Sequence, residues 1–259
     1  MEAVKTKTNK KIVIVPTYNE KDNIVDLLAE IFTMVPDVYV LVIDDNSPDG
    51  TATIVKNLQS QYSNLILIQR PGKLGLGTAY KLGFKYALKH DFDYIMEMDA
   101  DFSHDPASLE NFFLHIENND LVIGSRYIKG GRLVNWPVFR FLLSFFASLY
   151  VRLVTGLPLH DTTAGFKCFR REVLQSINLD DVVSEGYAFQ IEMHYKAWQK
   201  GWRLKEIPIT FVDRTFGQSK MSNKIIWEAL LTPWKLRLAP IFNYIRQERP
   251  WDLEDIDFE

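Results

Sequence analysis

One cysteine in 259 residues, Cys168, has no partner for an internal disulfide, and a cysteine-rich zinc site is excluded with it. The count fits a reducing compartment. The thiol sits in Gly165-Phe166-Lys167-Cys168-Phe169, an alternation that reads as a strand, so a packed core group is expected and not a nucleophile. Charge of one sign is lacking as well: 30 Lys and Arg stand against 33 Asp and Glu, for a net charge of -3. That balance indicates neither a nucleic-acid surface nor a disordered acidic protein, and no nucleic-acid partner is expected. The longest hydrophobic stretch, from Val138 to Leu159, is broken by Arg140 and Arg152, which leaves too few uncharged residues for the roughly 20 that cross a bilayer as a helix. The polar, lysine-rich start, Met1 to Lys11, leads into only a short apolar run before Pro16, which is not a signal-peptide pattern. Internal repeats, low-complexity segments and long linkers are absent too. A soluble or peripheral protein is expected, large enough for one substantial α/β domain with a C-terminal extension.

What is present is a succession of β-rich runs and amphipathic helices. Ile12 to Val15 forms a β-branched run ending in Pro16-Thr17-Tyr18-Asn19-Glu20, and Asn23 to Met34 repeats apolar residues at helical spacing. Val38 to Ile43 and Leu65 to Gln69 read as further strands, with helices after each. Loops at the C-terminal ends of parallel strands are where open α/β sheets bind ligands. The second such loop is Asp44-Asp45-Asn46-Ser47-Pro48-Asp49-Gly50-Thr51. The third, Gly72 to Gly77, lacks the dinucleotide spacing G-x-G-x-x-G. Tight packing and phosphate contact both remain open for it, with Lys73 a minor candidate.

The fourth strand leads to Met98-Asp99-Ala100-Asp101-Phe102-Ser103-His104. A D-x-D at a strand end aims both acids to one side. Hard oxygen donors in that arrangement suit Mg²⁺ or Mn²⁺, typically shared with substrate phosphates. His104 reads as a loop histidine without a catalytic role, and His90, His115, His160 and His194 lack metal-ligand spacing.

Cations gather later in the chain. Arg126 follows the strand Leu121 to Ile123, and its planar fork suits phosphate. Arg214 and Lys220 flank Gly217 in a loop that reads as an anion cradle. The helix over residues 139 to 154 is aromatic all round, which implies burial, a partner or a membrane interface. A basic, Trp-containing segment over residues 225–247 has interfacial character, and the acidic end, residues 248–259, reads as a solvated tail.

Seven blocks in order carry a resemblance: residues 16 to 20 and 44 to 51 as quoted above, Gly75-Leu76-Gly77-Thr78-Ala79, Met98-Asp99-Ala100-Asp101, Gly124-Ser125-Arg126-Tyr127, Asp161-Thr162-Thr163-Ala164-Gly165-Phe166, and Arg214 with Gly217, Ser219 and Lys220. The chain resembles the family 2 glycosyltransferases of GT-A fold, and among them the dolichol-phosphate and polyprenol-phosphate mannose synthases. The resemblance implies a GT-A domain over residues 12–224, behind a polar arm over residues 1–11: a mostly parallel, Rossmann-like sheet flanked by helices. It implies that Pro16, Tyr18, Glu20, Ile43 and Asp45 hold the guanosine of GDP-mannose. Asp99, Ala100 and Asp101 would face its ribose-diphosphate, with Asp99, Asp101 and Ser103 at the metal. Arg126, Arg140, Ser144, Arg214 and Lys220 would surround the donor and acceptor phosphates. Ser103 stands where some members carry glutamine, and Phe145 where several carry arginine. The family's single-domain type sits on the cytoplasmic face of a membrane through amphipathic surface or a small membrane partner subunit.

A polyprenyl monophosphate is already anionic at neutral pH, because the second ionisation of a phosphomonoester lies at about 6. No strong general base is then required, and the difficulty becomes charge repulsion between acceptor and donor. Asp101, Arg126, Arg214 and Lys220 are the expected catalytic residues for an inverting displacement at the anomeric carbon. A UDP-glucose donor is the alternative. A sugar-hydroxyl acceptor would need a base, for which Glu185 and Glu192 are available, and a non-catalytic nucleotide-sugar binder would not need both the D-x-D and the cations.

Overall fold

The computed structural model describes residues 9–213 and 230–238. The first three strands are β1 (Lys11–Thr17), β2 (Tyr39–Asp44) and β3 (Leu65–Gln69), each followed by a helix: α1 (Ile24–Met34), α2 (Thr51–Leu58) and α3 (Leu76–Lys89). The chain continues through β4 (Tyr94–Glu97), α4 (Leu109–Ile116), β5 (Leu121–Ser125), a short β6 (Arg132–Val134) and α5 (Val138–Thr155). It goes on through β7 (Lys167–Arg170), α6 (Arg171–Ser176), α7 (Gly186–Gln199), β8 (Leu204–Pro208) and β9 (Thr210–Val212). Residues 230–238 are helical.

The main sheet has the order β3-β2-β1-β4-β7-β5-β8. All neighbours are parallel except β7, which runs antiparallel to both β4 and β5. This is the mostly parallel, helix-flanked α/β sheet expected. By sequence alone Leu204 to Phe211 reads as a single last strand, but the structure has two: β8 closes the main sheet, and after Ile209 the chain leaves it as β9 to pair with β6.

Period-2 burial explains why these runs form strands. On β1, Ile12 and Ile14 pack on the α3/α7 side, whereas Val13 and Val15 pack on the α1/α4 side. Leu41 and Ile43 repeat the first choice, and Val40 and Val42 the second. Close packing of α3 on the sheet depends on Gly83, where an added Cβ would meet Ile14 Cγ2 at 2.6 Å. Cys168 is buried on the α1/α4 side, and burial pushes its thiol well above the ordinary cysteine range, as a core group requires.

Arg214 and Lys220 lie outside the described residues. So do residues 1–8 of the N-terminal arm, most of the 225–247 segment and the acidic tail.

Candidate active site

The D-x-D acids do not lie on the pleat of a strand. β4 ends at Glu97, and the acids occupy the loop beyond it. That loop is braced from several directions. Tyr80 Oη donates to Asp99 Oδ1 at 3.0 Å, and the Ser103 N–H donates to Asp101 Oδ1 at 3.1 Å. Phe102 adopts φ +59°, a left-handed conformation that costs a non-glycine residue about 1–3 kcal/mol and recurs at functional sites. The Asp99 N–H donates to His104 Nδ1 at 2.9 Å, so the imidazole proton is assigned to Nε2, 4.0 Å from Asp99 Oδ2. His104 is therefore more than a loop histidine: it is buried, stacked on Phe166 with ring centroids 4.6 Å apart. Burial holds its pKa below the ordinary range against the opposing pull of Asp99 and Asp101.

The residues expected at the guanosine gather at the C-terminal ends of β1 and β2. Asp45 is held at 2.5 Å by Arg70 Nε, and its Oδ2 accepts from the Leu74 N–H at 3.3 Å. Asp44 binds the Thr17 hydroxyl and caps Ser47 through the latter's N–H and hydroxyl. Glu20 Oε2 accepts from Asn23 Nδ2, and Lys73 Nζ sits 4.3 Å above the Tyr18 ring. Ile43 is different. Its side chain is wholly buried in the α3 core, so any contact with a nucleotide falls to its main chain.

The phosphate-binding candidates come together on the other side. Arg126 is buried and forked onto Asp161, with Nε–Oδ2 and Nη2–Oδ1 both 2.7 Å, and its Nη2 also donates to Thr163 Oγ1 at 2.9 Å. The Asp161 charge raises the guanidinium pKa despite burial, so Arg126 stays cationic. Arg140 Nη1 donates to Asp213 Oδ2 at 2.7 Å and its guanidinium lies 4.3 Å over Trp136. Ser144 Oγ accepts from Tyr127 Oη at 2.7 Å, and Phe145 packs edge-on against the same tyrosine.

Between these groups lies a cavity of about 220 Å³. Asp99, Ser103 and His104 line one side of it, Arg126, Trp136 and Arg140 another, with Tyr187 and Gln190 from α7. Among the described residues Asp99 is the only carboxylate in that lining. Glu185, a candidate base by sequence, caps α3 instead: its Oε2 accepts from the Gly77 N–H at 3.2 Å and would meet a Cβ at Gly75, where φ is +100°. Glu192 is buried and accepts from the Ser184 N–H. No three His, Cys, Asp or Glu side chains converge among the described residues. Asp99, Asp101 and Ser103 would supply an oxygen-only, incomplete donor set. It fits Mg²⁺ or Mn²⁺, which is commonly held by one or two carboxylates plus waters and substrate phosphates.

Arg140 and Ser144 reach this site from α5, whose remaining surface is apolar and open: Phe139 is 78% and Leu153 76% exposed. The helix has 18 residues and a mean hydropathy of 1.6, so on length and composition alone it suffices to cross a membrane despite Arg140 and Arg152. Polar contacts fasten it to the rest of the domain. Arg140 is paired with Asp213, Ser144 with Tyr127, and Tyr150 Oη donates to the Leu230 carbonyl at 2.7 Å. The helical residues 230–238 add exposed Leu231 and Trp234.

The model of the glycosyl transferase family 2 matches residues 12–177. The chain belongs to that family. It is 41% identical over 234 residues to the polyprenol monophosphomannose synthase of Mycolicibacterium smegmatis, covering 89% of this chain and 88% of that one. To the undecaprenyl-phosphate mannosyltransferase of Micrococcus luteus it is 42% identical over 235 residues, 91% of this chain and 97% of the relative. Among solved structures, glucosyl-3-phosphoglycerate synthase from Mycobacterium tuberculosis, in complex with Mn²⁺, UDP and glucosyl-3-phosphoglycerate, superposes with a TM-score of 0.62 at 16% identity, over 89% of this chain and 80% of that one. A mannosyltransferase from Pyrobaculum calidifontis, with GDP-Man and Mn²⁺, gives 0.55 at 18% identity, over 95% and 78%. Both share its fold.

Several groups of this glycosyltransferase were not singled out by sequence reasoning. Asp161 lies inside a quoted block but carries no sign that it will pair with Arg126. Asp213 directly precedes Arg214, yet its partner Arg140 is 73 residues away. The buried Glu97 and Lys167 meet only because β7 runs antiparallel beside β4, a pairing that local pattern does not announce.

Proposed function

We propose that the enzyme transfers mannose from GDP-mannose to a polyprenyl monophosphate with inversion, releasing GDP and β-mannosyl phosphoryl polyprenol. One observation carries the choice of acceptor: among the described residues the cavity presents two arginines and a single carboxylate, Asp99, which belongs to the D-x-D. A sugar hydroxyl needs a general base, whereas a phosphomonoester, with a second pKa of about 6, does not. The names of the two relatives support both mannose and a polyprenol-type phosphate acceptor.

On this reading Arg126 and Arg140 hold the acceptor phosphate against the repulsion of the donor diphosphate. Asp161 and Thr163 take Nε and Nη2 of Arg126, so among the described residues the acceptor is served by Nη1. Asp161 fixes the plane of that fork, which orients the phosphate for in-line attack. Arg214 and Lys220 complete the anion cradle. Tyr80 and His104 fix Asp99, and Asp45, Tyr18 and Glu20 border the nucleoside. Asp99 and Asp101, with Ser103 beside them, would hold Mg²⁺ or Mn²⁺, which when bound neutralises charge on the GDP leaving group. The open face of α5 and the exposed Leu231 and Trp234 rest on the membrane as a peripheral surface, bringing the lipid phosphate to Arg140. This docking is to the cytoplasmic face, directly or beside a small membrane subunit.

The test is to incubate purified protein, a divalent metal and short-chain polyprenyl phosphate with radiolabelled GDP-mannose or UDP-glucose, then count label extracted into organic solvent. Label from GDP-mannose alone is expected. Label from UDP-glucose alone would replace mannose by glucose, and label in neither would reject the reading.

A further inference from the structure

Beneath the cavity lie four polar side chains with almost no exposure: Glu97, Lys167, Gln190 and His194. Glu97 and Lys167 face each other across the antiparallel β4–β7 ladder, at positions whose strand neighbours Ile95 and Phe169 belong to the apolar core. Burying two charges where aliphatic residues would pack is costly, so a stability role alone does not explain them.

Hydrogen bonds join Gln190, Lys167 and His194, and Glu97 meets them through an ion pair alone, both of its oxygens lacking a hydrogen-bond partner among the described residues. Lys167 Nζ is 3.7 Å from Glu97 Oε1, donates to Gln190 Oε1, and lies 3.3 Å from His194 Nε2. An ammonium can only donate, so His194 Nε2 is the acceptor and its proton is on Nδ1, which donates to the Thr162 carbonyl at 3.1 Å. Thr162 stands between Asp161 and Thr163, the two residues that grip Arg126. At the other end Glu97 is the last residue of β4, immediately before Met98 and the D-x-D loop. Gln190, one turn before His194 on α7, lines the cavity between the two ends.

We propose that Lys167 is a positioning residue: through Glu97 on one side and His194–Thr162 on the other, it sets the D-x-D carboxylates and the Arg126 fork in register across the cavity. Lys167 touches neither ligand. It joins β4, β7 and α7, the three elements that deliver the metal-binding loop, the Arg126 loop and the cavity wall. The activity arm of this inference rests on the proposed glycosyl transfer, whereas the structural arm does not.

The single variant Lys167→Met leaves Glu97 buried without a counter-charge and is expected to unfold readily, so the decisive protein is the double variant Glu97→Gln/Lys167→Met. With both charges gone it should melt above Lys167→Met, though below the wild type by the bonds that Gln190 and His194 lose. Two readouts follow, Mn²⁺ affinity in the presence of saturating GDP, from the electron paramagnetic resonance signal of free Mn²⁺, and transfer kinetics. Direct hydrogen-bond partners of metal ligands are typically worth about 10-fold or more in metal affinity; Lys167 and Glu97 stand one step further out, so a smaller, several-fold loss is expected together with a lower kcat. A folded double variant with wild-type Mn²⁺ affinity and wild-type kcat would overturn the proposal. If the wild type binds Mn²⁺ and GDP but transfers nothing, the functional reading fails, and the Mn²⁺ comparison still decides the role of Lys167.

Discussion

Replacing Asp161 by asparagine probes how the acceptor end of the cavity is built. Asp161 is fully buried and receives three N–H bonds from Arg126: Nε and Nη2 at 2.7 Å and the main-chain N–H at 3.0 Å. The amide keeps the shape but puts an NH₂ where an acceptor stood, and it leaves a buried guanidinium without a counter-charge. Breaking a buried ion pair from one side costs about 3–5 kcal/mol. At about 2–4 °C per kcal/mol for a domain of this size, the melting temperature should fall by roughly 6–20 °C. Circular dichroism melts at pH 7 provide the assay. A second variant separates charge from packing: Arg126→Met/Asp161→Leu removes both charges and should recover most of the lost stability while transferring no sugar. An Asp161→Asn protein melting within about 2 °C of wild type would refute the reasoning, since it would mean that Arg126 does not need its buried partner.

Arg214→Ala should sharply lower transfer while leaving GDP binding mostly intact, and equal loss of both would assign the residue to the nucleotide. Asp101→Asn should abolish Mn²⁺-dependent activity; unchanged metal dependence would remove the D-x-D from the metal site. His194 gives a pH effect on stability. Burial first, and the Lys167 charge next, hold its imidazolium pKa well below the ordinary value, with the Thr162 carbonyl opposing. Below about pH 6.5 the unfolded chain takes a proton that the folded one refuses, so stability is complete above that pH and falls beneath it by up to about 1.4 kcal/mol per pH unit. Urea midpoints at pH 7 and 5.5 should show this fall, with a shallower slope in His194→Gln; identical slopes would contradict it. On α5, Phe139→Asp/Leu153→Asp should reduce sedimentation with anionic vesicles at least several-fold without lowering the melting temperature, because both side chains are largely exposed. Unaltered vesicle binding would move the membrane contact elsewhere.

The strands and helices were legible because their burial obeys simple periods: Ile12 to Val15 alternates between two cores, and α1 buries Ile24, Leu27, Leu28 and Ile31 at helical spacing. The reversed direction of β7 was not, since Lys167 to Arg170 has the same alternation whichever way it pairs. For the same reason β9 merged with β8 in the sequence reading: nothing local marks the chain's departure from the main sheet after Ile209. Motifs and the resemblance pointed to the acids and arginines, and the cavity is lined by Asp99, Ser103, Arg126 and Arg140, with Asp101 and Ser144 outside its lining. Motifs did not say which residues hold those groups. Asp161, Tyr80, His104 and Lys167 act on partners brought near by the fold, and their type alone is equally consistent with surface or core positions.

The most direct measurement counts two products in one reaction. GDP released and mannose carried into the organic phase are followed together, with and without polyprenyl phosphate. The account predicts equal amounts of both, and neither without the lipid phosphate. GDP release that ignores the lipid, accompanied by free mannose in water, would contradict transfer to a polyprenyl monophosphate.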